Sequence, residues 1–364
     1  MKKKLLAVLL TAAMALGMVA CGGAPADNNS GGGADTQENS AGAGGEENTP
    51  SGETVKIGIV LDVGGVSDGS FNQSSWEGLQ RAQSELGIEA QYLESAGDAD
   101  YAANIETFMD EGCDLIICVG YMLADATRTA AEANPDQKFA IIDDSTCADL
   151  PNVACLMFKQ EQASYLVGYV AGLMTQTNKV GFVLGMSSDN MNLFGYGYYA
   201  GVKDANPNAE IQGMNANSFA DAETGKSNAN AIITGGADII FHAAGGTGLG
   251  VIDACKEAGI YAIGVDSDQS RVAPETVITS AMKRVDNAVY DTAEKVLNGS
   301  FQAGVITYDL SVSGVDIAPT QDLLPAEVIS KIEEIKQQII DGSITVPDSK
   351  DAFEAAYGDI YELD

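Results

Sequence analysis

Two aspartates stand at matching places in a repeated pattern. Gly112-Cys113-Asp114-Leu115-Ile116-Ile117 opens a unit of 32 residues that ends Phe139-Ala140-Ile141-Ile142-Asp143. Gly236-Ala237-Asp238-Ile239-Ile240-Phe241 opens one of 31 residues that ends Tyr261-Ala262-Ile263-Gly264-Val265-Asp266. Each unit reads as strand, helix, strand, with a carboxylate just past the carboxyl end of its second strand, where open α/β sheets collect their ligands. An ionised carboxylate at that place accepts hydrogen bonds from the hydroxyl or N–H groups of a solute. Asp143 and Asp266 are therefore candidates to face one another across a cleft, with Asp144 as the register alternative in the first unit. The other reading of each is a cap on the turn or helix that follows.

Other chemistries find less material. Gly245-Gly246-Thr247-Gly248-Leu249-Gly250 follows a strand and opens a helix, yet it lacks the spacing of a nucleotide phosphate loop, and the chain contains no Gly-x-x-x-x-Gly-Lys. These glycines, Gly245 first, tighten the turn and let the backbone approach a ligand. His242 is the single histidine, so a multi-histidine zinc site is excluded, and it reads as a strand-end packing residue. Cys113, Cys118, Cys147, Cys155 and Cys255 follow neither a zinc pattern nor a disulfide framework, and Cys113, Cys118, Cys155 and Cys255, which lie in apolar segments, read as small buried hydrophobes. No catalytic residue, metal or cofactor is assigned, and a secreted hydrolase, with only acids and His242 to work with, is the weaker class.

The elements that must hold these residues alternate. Strands are expected at 55–61, 115–119, 139–142 and 153–156, with a helix after the first and helices over 100–110 and 123–133. The same rhythm returns with strands at 180–184, 211–214, 239–241 and 261–265 and helices over 160–174, 192–205, 222–233 and 248–258. A strand at 276–280 feeding a helix over 283–297, a strand at 305–310 and a helix after Pro325 stopped by Gly342 complete the reading. This is the pattern of parallel sheets covered on both faces, twice over. The first lobe is expected to hold 55–158 with return segments 280–304 and 320–345, and the second 159–275 with 305–319.

The amino-terminal 20 residues, three lysines and then an apolar run, read as an export signal too short to remain as a membrane span. Met18-Val19-Ala20-Cys21 resembles a lipobox, which makes Cys21 the site of lipidation. Residues 21–54 carry six acidic and no basic residues among Gly, Ser and Asn, and read as a flexible tether. Loss of the leader's three lysines takes the formal charge from −33 to −36. So acidic a surface argues against nucleic acid as a partner, because phosphate binding relies on basic patches.

At several ordered places the chain resembles the basic membrane protein family of lipoproteins, which includes the PnrA-type purine nucleoside receptors. The resemblance is carried by DVGGVSDGSFNQSSWEG at 62–78, QASYLVG at 162–168, AGGTG at 244–248, AIGVDSDQ at 262–269 and TSAMKRVD at 279–286. It implies a type I periplasmic-binding-protein fold, an α/β architecture of two Rossmann-like lobes joined by three crossovers at a hinge and closing over a central cleft. It further implies a purine nucleoside as ligand (inosine, guanosine or adenosine) and delivery to the permease and ATPase subunits of an ABC importer from a lipid anchor on the extracytoplasmic face of the cell membrane. Residue by residue, Phe71 takes the position that stacks on the base from the first lobe and Asn72 the adjacent polar one. Phe219 best matches the second aromatic face, with Phe194 as its competitor and better suited to a core or rim role. Asp62, Asp143 and Asp266 match the pocket carboxylates, and Lys283 matches the cleft lysine that offsets their charge. A sugar or other small-solute receptor, or a surface nutrient sensor, is the alternative within the same class.

Cys21→Ser is expected to move the folded protein from the membrane fraction to the soluble one. Mass spectrometry of the mature amino terminus should find acyl chains on Cys21, and an unmodified terminus would end the lipoprotein reading.

Overall fold

The computed structural model describes residues 54–363, so the expectations for the export signal, Cys21 and the tether to 53 lie outside the described residues. The first β-rich stretch builds β1 (Lys56–Val60), α1 (Phe71–Leu86), β2 (Glu89–Leu93), α2 (Asp98–Asp110), β3 (Leu115–Val119), α3 (Ala124–Ala133), β4 (Lys138–Ile142) and β5 (Val153–Phe158). The second builds α4 (Gln160–Met174), β6 (Lys179–Leu184), α5 (Asp189–Ala205), β7 (Glu210–Asn215), α6 (Ala222–Thr234), β8 (Ile239–Ala243), α7 (Thr247–Ala258), β9 (Tyr261–Asp266) and β10 (Val277–Lys283). There follow α8 (Val285–Leu297), β11 (Gly304–Tyr308), β12 (Val315–Ile317), α9 (Ala326–Ile340) and α10 (Lys350–Tyr357).

The strands form two six-stranded sheets, β11-β5-β4-β3-β1-β2 and β12-β10-β9-β8-β6-β7. Position by position the two orders correspond, so the repeat seen in the sequence is a repeat of topology. All pairings are parallel except β10 with β12. Parallel strands covered on both faces must be apolar throughout, and β3 (LIICV) and β8 (IIFHA) are buried at every residue. The edge strand β2 (EAQYL) is largely exposed, which is why its sequence carries no strand signal.

The chain passes between the sheets three times, after β5, after β10 and after β11. The crossing segments are tied together. Lys159 N donates to Tyr308 O at 2.9 Å, Arg284 N to Gly314 O at 2.9 Å, and Leu310 N to the Gln162 side chain at 3.0 Å. Three expectations need correction here. Strand β11 pairs with β5 in the first sheet, so of the segment 305–319 only the β12 part joins the second. Helix α9 buries Val328, Ile332, Ile335 and Ile339 and packs on α4 of the second lobe, not on the first. Lys283 ends a strand that pairs with β9 and β12, and the helix begins only at Val285. Local pattern cannot settle these choices, because strand and helix partners are nonlocal.

In the second lobe α4 and α5 lie backbone against backbone. A Cβ on Gly197 would sit 2.1 Å from Glu161 O, and one on Gly168 would sit 2.3 Å from Tyr198 O. Neither neighbour is the end of a flexible side chain, so the helices must separate. Gly197→Ala is expected to lower unfolding stability by about 1–3 kcal/mol in urea titrations; an unchanged midpoint would contradict this packing.

Candidate functional site

A cavity of about 500 Å³, counting all the space between its walls, opens where the carboxyl ends of the two sheets meet. Of the residues singled out in the sequence, it brings together Asp62, Phe71, Asn72, Asp143, Phe219, Gly245, Asp266 and Lys283, together with Phe194. Asp144 is not among the lining residues; its carboxylate accepts from Thr146 N at 2.8 Å and closes a local turn.

The two repeat-related aspartates share an uncommon backbone. Asp143 (φ 68°) and Asp266 (φ 63°) both adopt the left-handed conformation, which L-residues seldom take and which Asp and Asn tolerate best. The bend turns each carboxylate off the line of its strand. Neither acts as a cap, and that work falls to the neighbours Asp144 and Asp268, the latter accepting from Ser270 N at 3.1 Å. Asp266 instead accepts from Ser70 Oγ of the first lobe at 2.5 Å. Burial pushes its carboxyl up to about 7, with Lys283 and Ser70 pulling the other way. Asp143 pairs through Oδ2 with Lys283 Nζ, while its buried Oδ1 has no hydrogen-bond partner.

On the first lobe, Asn72 organises two acids. Its Nδ2 donates to Asp62 at 2.7 Å and to Asp68 at 3.1 Å. Asp62 also accepts from Gly64 N at 2.9 Å, yet burial still raises its carboxyl to about 6. Asp68, which sequence reasoning missed, accepts from the backbone N–H groups of Ser70, Asn72 and Gln73 at 2.9–3.0 Å and so anchors the start of α1. The signal was present as an acid three residues before a helix start. That anchor places Phe71, first residue of α1, in the wall.

Lys283 is 1 % exposed at the end of β10. Its Nζ stands 5.2 Å from the ring centres of Phe71 and Phe158 and 5.5 Å from that of Phe194, a range in which aromatic faces attract a cation. Phe194 is thus a wall residue of the cavity and at the same time a member of the buried core, as its helix spacing led one to expect. Phe219 lies on the other side, packed down on Gly185, where a Cβ would come within 2.5 Å of its ring. Gly245 takes φ 54°, which the turn between β8 and α7 requires. Gly120, Tyr121, Met191, Ala243, Ala244 and Val265 complete the wall; Ala244 and Val265 fall within the motifs that carry the family resemblance, and the others had no signal as site residues.

His242 packs beneath Gly248, and burial pushes its imidazole down to about 4, so it is neutral at physiological pH. Cys113, Cys118, Cys147, Cys155 and Cys255 are buried thiols. Both observations agree with the packing roles expected of His242, Cys113, Cys118, Cys155 and Cys255; the burial of Cys147 was not foreseen. The arrangement is suited to holding a solute: carboxylate acceptors, a single cation and aromatic faces converge.

The comparisons with known proteins agree. The family model described as ABC transporter substrate-binding protein PnrA-like matches residues 55–350. The CD4+ T-cell-stimulating antigen of Listeria innocua is 40% identical over 372 residues, covering 96% of this chain and 99% of its own. The ABC transporter nucleoside-binding protein BmpA of Lactococcus lactis is 36% identical over 315 residues, 80% of this chain and 89% of that protein. Among solved structures, an ABC transporter solute-binding protein of Aeropyrum pernix superposes with a TM-score of 0.76 at 27% identity, covering 84% of this chain and 97% of that one. Fold, matched span and relatives agree with the cleft geometry: this chain belongs to the PnrA-like family of ABC transporter substrate-binding proteins, with its α/β periplasmic-binding fold.

Proposed function

We propose that the cavity takes a purine nucleoside and that the chain is a lipid-anchored receptor on the extracytoplasmic face of the cell membrane, handing that nucleoside to the permease and ATPase subunits of an ABC importer. The observation that carries this reading is the pairing of aromatic walls from both lobes with buried carboxylates around one lysine. The rings of Phe71 and Phe219 suit a planar base, whose stacking on one aromatic face is worth about 1–3 kcal/mol. Asp62, Asp266 and the unpartnered Oδ1 of Asp143 suit the donors of a ribose or a base edge. A phosphate would meet those carboxylates, so a neutral nucleoside is favoured over a nucleotide. A free sugar would leave the aromatic faces uncovered.

Calorimetry on protein unfolded and refolded to strip copurified solute should find inosine, guanosine or adenosine binding more tightly than the matching nucleotides, bases and sugars. Phe71→Ala should weaken binding roughly five- to 150-fold, the equivalent of about 1–3 kcal/mol of stacking. Ribose or galactose binding at least tenfold tighter than any purine nucleoside would overturn the proposal.

A pH dependence follows from Asp266. Its carboxyl, raised to about 7 by burial, is about half protonated near neutrality. Ligand donors need the ionised form, so nucleoside binding favours proton release, and affinity should fall as pH drops from 8 through 7 to 6. In Asp266→Asn the dependence between pH 8 and 7 should flatten, leaving the fall near pH 6 that Asp62, raised to about 6, contributes. A pH-independent affinity in the native protein would remove Asp266 from the set of ligand acceptors.

A further inference from the structure

The family match ends at residue 350, but the chain continues into α10 and a tail to 363 that lie on the far side of the cavity wall. Helix α5 has two working faces. One carries Met191 and Phe194 into the cavity. The other is covered by the tail: Tyr361 is 3 % exposed, its ring centre 5.0 Å from that of Tyr196 and 5.2 Å from that of Tyr199, and its hydroxyl donates to Asn192 Oδ1 at 3.0 Å. Phe353 of α10, 1 % exposed, stacks on Tyr196 at 5.3 Å. A Cβ on Gly195, the residue after Phe194, would stand 2.2 Å from the Tyr361 ring, so tail and helix meet with no slack.

The clamp is tied at two further places. Tyr357 donates to Asp204 at 3.0 Å, near the carboxyl end of α5, and the same carboxylate receives Tyr165 of α4 at 2.6 Å. Asp348 lies 3.4 Å from Lys159, in the first crossing between the lobes. The helix that carries the wall is therefore held from behind by the tail.

We infer that the segment 348–363 is a clamp that seats α5, and that Tyr361 is a positioning residue that sets the width of the cavity through Met191 and Phe194. The inference rests on the cavity being the ligand site. Without the clamp, α5 spends part of its time set back. Apparent affinity then falls in proportion to the fraction of molecules with the wall in place.

The test uses the full chain, Tyr361→Ala, and Tyr361→Phe, which keeps the ring and removes only the hydroxyl. Amide hydrogen exchange on unliganded protein should show residues 191–196 exchanging on the order of tenfold faster in Tyr361→Ala, with β3 and β4 unchanged. Inosine affinity should fall about tenfold in Tyr361→Ala and roughly two- to fivefold in Tyr361→Phe. An 8-bromo purine nucleoside should lose less than its parent, because a receding wall relaxes discrimination by size. A merely structural role would lower the unfolding midpoint and leave that ratio unchanged. Unaltered exchange at 191–196 would overturn the clamp whatever the ligand. Faster exchange with unaltered affinity would show that the clamp does not reach the cavity and would overturn it equally. If native protein binds no nucleoside, the ligand reading falls, while exchange at 191–196 still decides whether the tail seats α5.

Discussion

The site depends on one buried cation. Lys283 is the only lysine or arginine among the described residues that is almost fully withdrawn from solvent, and Asp62, Asp68, Asp143 and Asp266 are buried around the same cavity. Buried carboxylates are costly unless paired or hydrogen-bonded, and breaking a buried pair by removing one partner typically costs about 3–5 kcal/mol. Each acid has its own arrangement: backbone N–H groups for Asp68, Asn72 and Gly64 for Asp62, Lys283 for Asp143, and Ser70 for Asp266. Desolvation still dominates at Asp62 and Asp266, whose carboxyls stay well above the ordinary range. A cavity so charged favours a solute rich in donors.

The same interactions join the lobes. Lys283 belongs to the second sheet and Asp143 to the first, while Ser70 and Asp266 make the opposite crossing. Gly69 O adds a third contact, accepting from Gln269 Nε2 at 3.0 Å and from Ser267 Oγ at 3.3 Å. Groups that line the cavity and groups that bring the lobes together are thus largely the same groups. A solute that satisfies Asp143 Oδ1 and Asp266 bears directly on how firmly the lobes are held.

The matching sheet orders explain how both lobes deliver acids to one place. Related strands β4 and β9 each end in an aspartate bent into the left-handed region, a conformation costing about 1–3 kcal/mol that the surrounding structure must hold. Where the lobes differ, they supply different chemistry. The first contributes Phe71 and the Asn72 network from the start of α1, and the second contributes Phe219 after β7 and Phe194 from α5.

The sequence by itself determined the βα alternation, the repeat ending in Asp143 and Asp266, and the packing roles of His242, Cys113, Cys118, Cys155 and Cys255, because these rest on local periodicity and composition. The family motifs placed Asp62, Phe71, Asn72, Phe219 and Lys283 at the cavity as well. Only the tertiary structure decided that β11 joins the first sheet and α9 the second lobe, since edge pairing and helix docking depend on residues more than a hundred positions away. It also decided that Asp143 rather than Asp144 faces the cleft, because one backbone dihedral selects between adjacent identical side chains. Asp68 and Phe194 were legible as a cap and a helix-face aromatic, but their place in the wall was not. The tail beyond 350 carried no signal in the sequence, because the partners that give Phe353 and Tyr361 their meaning are on α5, roughly 150 residues earlier.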